Sequence, residues 1–166
     1  MVPLNRRLLP ACDRSLALVD QELRRVLDAL AAGRGRWPLF LHGEPGAGKT
    51  CATLSLCDVV ETAAYATLEE IVSRTLANDE SLVRRFSSKA LIVVDEIGAR
   101  QKIGDAQYSA LKNVLDVREL AHNRVGIYIS NVTPTRIAEL FDDRIASRLL
   151  CGTCFELLGT DRRFSR

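Results

Sequence analysis

The sequence predicts an α/β domain built on a five-stranded parallel sheet flanked by helices, and three observations predict it. Five short apolar segments alternate with stretches of helical periodicity. The first segment runs directly into a glycine-rich loop, GEPGAGKT. Another, ALIVVDEIGA, is aliphatic until it reaches Asp95-Glu96, the pattern of a central strand covered on both faces with acids emerging at its carboxyl end.

Taken in order, Asp13 to Ala32 carries Leu16, Val19, Leu23, Val26, Leu27 and Leu30 at the spacing of an amphipathic helix, which Gly33 and Gly35 stop. Met1 to Pro10 reads as an arm before it. The predicted strands are Leu39 to His42, Ala63 to Ala66, Ala90 to Val94, Val125 to Ser130, and Thr153 to Leu158. Helical patterns fill the intervals at Lys49 to Val59, Leu68 to Leu76, Glu80 to Phe86 and Asp105 to Ala121. Thr133-Pro134 reads as an N-cap followed by proline at the first helical position, with Ile137 and Leu140 on the buried side. Asp142 is placed to cap a last helix, Asp143 to Leu150, whose Arg144 and Arg148 share one face.

Gly43, Glu44, Pro45, Gly46, Ala47, Gly48, Lys49 and Thr50 fit G-x-x-x-x-G-K-[ST] in the strand-loop-helix context that this phosphate-binding loop, the P-loop, requires. A triphosphate must lie against backbone N–H groups, and glycine permits the close approach that a Cβ would prevent. With Cys51 opening the following helix, these residues form the expected nucleotide cradle, Lys49 reaching the β- and γ-phosphates and the Thr50 hydroxyl coordinating Mg²⁺. The chain therefore reads as a P-loop NTPase. Ligands in open α/β sheets bind beyond the carboxyl ends of the strands, so Asp95 is expected to hold Mg²⁺ and Glu96 to deprotonate a water. Ser130-Asn131 ends the next strand, where a polar side chain can reach the same water or the γ-phosphate. An arginine-bearing helix then follows, and Arg144 or Arg148 is expected to complete a neighbour's site as an arginine finger in a homo-oligomer. The Asp-Glu pair fits water activation better than phosphoryl transfer to a small molecule, which favours an ATPase over a kinase.

At 166 residues the chain fits one domain. It has no apolar run long enough to span a bilayer and no signal-peptide pattern at Met1, so a cytoplasmic location is expected. A net charge of +2 does not by itself argue for nucleic acid, although arginines pair at Arg24-Arg25, Arg84-Arg85 and Arg162-Arg163. Five cysteines, two of them on the helix after the glycine loop, suit a reducing compartment. Cys151-Gly-Thr-Cys154 has no second half to complete a metal site and reads as buried strand-end thiols.

From WPLFLHGEPGAGKT through LIVVDEIG, YISN and DDRIASRL, about Arg36 to Arg163, the chain resembles the AAA+ core of DnaC-type helicase loaders and the related IstB-type transposition ATPases. IGDAQYSALKNVLDVRE adds to the likeness, because a helix of similar pattern follows the second acidic motif in that family. The resemblance implies that Lys49 and Thr50 belong to the Walker A motif and Asp95 and Glu96 to Walker B. It makes Asn131 sensor I and Arg148 the finger, and it puts Arg163 or Arg162 where the family often has a sensor II-like arginine. It divides the chain into an arm and helix, residues 1–35, and an ATPase core, residues 36–166. It also implies ATP and Mg²⁺ as cofactors, single-stranded DNA and a replicative helicase as partners, and a role in DNA replication as a loader or accessory. An IstB-type transposition helper is the alternative within the family, and a nucleotide-dependent interaction module with little hydrolysis is the alternative outside it. The chain ends soon after its fifth strand, so no helical lid is expected. For contact with DNA, Tyr65 and Phe86 beside Arg84 and Arg85 are the candidates, while Trp37 is expected to pack.

Overall fold

The computed structural model describes residues 20–60, 62–122 and 125–159. The expected arm, the start of the first predicted helix, Arg162 and Arg163 lie outside these residues. The elements are α1 (Gln21–Ala31), β1 (Leu39–His42), α2 (Lys49–Val59), β2 (Ala63–Thr67), α3 (Leu68–Leu76), α4 (Ser81–Ser87), β3 (Leu91–Ile97), α5 (Asp105–Leu120), β4 (Gly126–Ser130), α6 (Pro134–Phe141), α7 (Asp143–Leu150) and β5 (Thr153–Glu156). All strand pairings are parallel, in the order β2-β3-β4-β1-β5. Among the described residues no helical domain follows β5, and no helix is long and apolar enough to cross a membrane.

Strand alternation divides the apolar side chains between two cores. Phe40, Ile92, Val94 and Tyr128 face α3, α4, α5, α6 and α7. Leu39, Leu41, Val93, Ile127 and Ile129 face α1 and α2, with Leu23 and Leu30 of α1 buried among them. Trp37 packs, partly buried, against this second core. Capping side chains start α3, α6 and α7, as expected at Thr133 and Asp142 and also at Thr67. Thr67 accepts a hydrogen bond from the Glu70 N–H, Thr133 from the Arg136 N–H, and Asp142 from the Ile145 N–H at 3.0 Å.

At the amino-terminal edge of the sheet, the buried Arg118 of α5 donates to the carbonyls of Phe86, Lys89, Ala90 and Val125, joining the end of α4 to the starts of β3 and β4. Backbone carbonyls at strand starts otherwise need a donor from water, and a five-donor guanidinium serves several at once.

Three expectations are corrected by the packing. Tyr65 and Phe86 are both buried, Phe86 with no exposed surface, so neither ring can stack on a nucleobase. Their strand and helix face the core because β2 and α4 lie against β3 and α5. Cys151 and Cys154 are exposed rather than buried: the first follows α7 and the second sits on β5, an edge strand with one side open. β5 also ends at Glu156, two residues before the predicted Leu158.

Candidate active site

Because every strand is parallel, the carboxyl ends of β1, β3 and β4 meet at one edge of the sheet. The register aligns His42 of β1 with Ser130 of β4, Ile97 of β3 with the same Ser130, and Thr67 of β2 with Asp95 of β3. Gly43 and Asn131 are the next residues out from the His42 and Ser130 pair, so the glycine loop, Asp95-Glu96 and Asn131 share this edge. Asn131 is exposed there.

Gly43 is required by more than a turn. Its φ is 143°, and a Cβ at that position would lie 2.3 Å from the carbonyl oxygen of Leu157, where the chain leaving β5 crosses the loop. Gly46 and Gly48 also have positive φ, 83° and 100°. Gly48 is the N-cap of α2 and brings no side chain to cap the first N–H groups of that helix, the end where an anion is favoured. Lys49 is 5% exposed, and its Nζ donates to the carbonyls of Gly43 at 2.7 Å and Glu44 at 2.9 Å. Its charge thus lies against the rim of the loop.

Asp95 joins the loop to the sheet. The Thr50 hydroxyl donates to Asp95 Oδ2 at 2.7 Å, although 45 residues separate the two. The Tyr65 hydroxyl donates to the same oxygen at 3.0 Å, and the Glu96 N–H donates to Oδ1 at 2.7 Å. Asp95 is 4% exposed. Burial, then the Asp95 charge, push the Tyr65 hydroxyl far above its ordinary pKa, so it remains a donor at any working pH.

Glu96 leaves the sheet through a bulge. Between Val94 and Ile97 of β3 the partner strand advances only from Tyr128 to Ser130, so β3 carries one extra residue. Glu96 takes a left-handed backbone, φ 61°, and is exposed in a strand otherwise buried. The Ser130 hydroxyl donates to the Ile97 carbonyl at 2.6 Å and fixes the far end of the bulge. Partial burial, then the neighbouring charges of Asp95 and Glu69, raise the Glu96 carboxyl above its ordinary pKa, which makes it a better base than a solvated carboxylate. His42, beneath the loop, is held below its ordinary value, chiefly by burial.

Arg144 and Arg148 stand one helical turn apart on α7. Arg144 is exposed near the start of α7. Arg148, with 32% of its side chain exposed, donates to Asp116 at 2.7 Å and to Glu119, both on α5. It lines a cavity of about 290 Å³ with Pro38, Arg118 and Tyr128. Pro38 precedes β1, and Arg118 binds the carbonyls just before β3 and β4, so this cavity lies at the amino-terminal edge, opposite the glycine loop. Arg148 therefore cannot serve the site of its own chain.

Tyr65 is the site residue that sequence reasoning assigned to the wrong task. Its signal was a single large, polar-tipped side chain in an otherwise small-residue strand, AAYAT, but its partner depends on which strand lies beside β2.

No family model matches the chain, and no curated protein matches it by sequence. Solved structures do match its fold. A DNA replication initiation factor aligns with a TM-score of 0.69 and 19% identity over 87% of this chain and 47% of that one. The replication initiator DnaA bound to AMPPCP and single-stranded DNA aligns at 0.68 and 17%, over 96% and 52%. The DnaC helicase loader aligns at 0.62 and 16%, over 72% and 77%. The chain spans about half the length of the first two. A five-stranded parallel sheet flanked by helices is thus the fold that this chain shares with solved structures of a replication initiator and a helicase loader.

Proposed function

We propose that the chain is a Mg-ATP-hydrolysing ATPase that acts in DNA replication as a helicase loader or accessory, with residues 36–166 as its catalytic core. The Thr50 to Asp95 hydrogen bond carries the ATPase half, because it puts the hydroxyl of the glycine loop and the carboxylate of the acidic strand in direct contact at 2.7 Å. The Thr50 hydroxyl and the Asp95 carboxylate fit Mg²⁺, which takes one or two protein ligands when phosphates and water supply the rest. The ion, when bound, would offset the negative charge of the phosphates.

The chain's own groups supply the remaining steps. Lys49 Nζ, held by two loop carbonyls, would exchange them for phosphate oxygens of higher charge. The first N–H groups of α2 receive the same phosphates. Glu96 accepts a proton from the attacking water, and Asn131 at the tip of β4 orients that water or the γ-phosphate. Arg148, remote from its own loop, would act on a neighbour in a head-to-tail homo-oligomer. Arg163 is proposed as a nucleotide contact on the family resemblance alone.

The replication role is supported by the shared fold with DnaA and DnaC structures. Its test is ATP turnover with and without single-stranded DNA and a replicative helicase. We expect both to stimulate turnover. A rate indifferent to both, but raised by a transposase on DNA, would sink the replication role in favour of a transposition helper.

Assembly is tested by mixing Glu96→Gln with Arg148→Ala. Each variant alone should be slow, yet an intact Glu96 can face an intact Arg148 in the mixture, at about a quarter of interfaces if subunits assort randomly. Activity should return on mixing at oligomer-forming concentration. A mixture no faster than its components would remove Arg148 as the finger and make Arg144 the residue to test.

A further inference from the structure

We infer that Tyr65 is a positioning residue of the nucleotide site, its hydroxyl orienting the Asp95 carboxylate toward the bound metal and its water shell. The inference rests on the ATPase proposal above and adds a residue from β2, a strand that contributes nothing else to the chemistry proposed there.

A carboxylate offers about four lone-pair positions. Asp95 Oδ2 accepts from Thr50 and from Tyr65, and Oδ1 accepts from the Glu96 N–H, so three are taken within the protein. The position left open is on Oδ1. Without Tyr65, Oδ2 would have a free lone pair and the carboxylate would be held on that side by Thr50 alone, whose hydroxyl is itself expected to bind the metal. A carboxylate free to rotate would share its charge between two orientations. Tyr65 removes that freedom because its ring is clamped in the second core with Leu91, Val93 and Ala63. Partners that orient a ligating carboxylate are worth a measurable share of metal affinity.

A purely structural role would also explain a buried hydroxyl bonded to the nearest acceptor, and the two accounts separate on Mg²⁺. Tyr65→Phe keeps the ring and its packing and deletes only the donor. A fluorescent ATP analogue, titrated onto full-length protein in excess chelator and then at rising Mg²⁺, reads metal-free affinity and metal dependence separately. Phosphate release over the same Mg²⁺ range adds an activity readout. We expect metal-free affinity within twofold of wild type, and a Mg²⁺ midpoint raised by about tenfold in both readouts. An unchanged midpoint, whatever the variant's thermal stability, overturns the inference and leaves the ATPase proposal standing. If the wild type itself binds no nucleotide, the ATPase proposal fails and the inference falls with it.

Discussion

Glu96→Gln should bind ATP as tightly as the wild type and turn it over at least about a hundredfold more slowly, the usual scale for loss of a general base. The expectation follows from how Glu96 is held. Its side chain leaves β3 at a bulge and makes no contact that fixes the sheet, whereas its backbone N–H secures Asp95. Glutamine preserves that N–H, the size of the side chain and the left-handed backbone, so the Asp95 carboxylate stays in place. What it removes is the group able to accept a proton from water. Phosphate release at saturating ATP, beside calorimetric affinity, separates the two properties. A near-normal rate would place the base on another residue, and a loss of binding would show that Glu96 holds the nucleotide rather than the water.

The fold was legible because its signals are local. Short apolar runs, caps such as Thr133 and Asp142, and the glycine loop each depend on residues a few positions apart, and the structure places these elements where they were expected to within a few residues. The same locality makes GEPGAGKT and Asp95-Glu96 readable as chemistry. Properties set by neighbours in space were not readable. The bulge that presents Glu96 arises because β3 gains a residue against β4 and because Ser130 binds the Ile97 carbonyl, a contact spanning 33 residues. Tyr65 looked available to nucleic acid until strand order put β2 beside β3 and its hydroxyl on Asp95. Cys154 looked buried until β5 proved to be an edge strand. Arg118 belonged to a stretch that contributed to the family resemblance, yet its four carbonyl partners give it a purely structural task. Arg148 likewise had no visible partner until α5 brought Asp116 and Glu119 to it.

Lys49→Ala should lose affinity for Mg-ATP by at least about a hundredfold while the protein stays folded. Lys49 is almost wholly buried, and its ammonium donates to two carbonyls of the glycine loop. Phosphate oxygens carry more charge than those carbonyls and bind an ammonium more strongly, so the loss falls chiefly on the nucleotide complex. The loop itself bears little of the cost, because Glu44 is exposed and Gly43 partly so, and water can serve the carbonyls released. The most direct measurement is a calorimetric titration of wild type and Lys49→Ala with a non-hydrolysable ATP analogue and Mg²⁺, each after a thermal melt without nucleotide. Saturable binding of one analogue per wild-type chain, with none resolved in a variant that melts at nearly the same temperature, is the predicted result. Equal affinity in the two proteins, or no binding by the wild type, would contradict the assignment of the glycine loop as the nucleotide site.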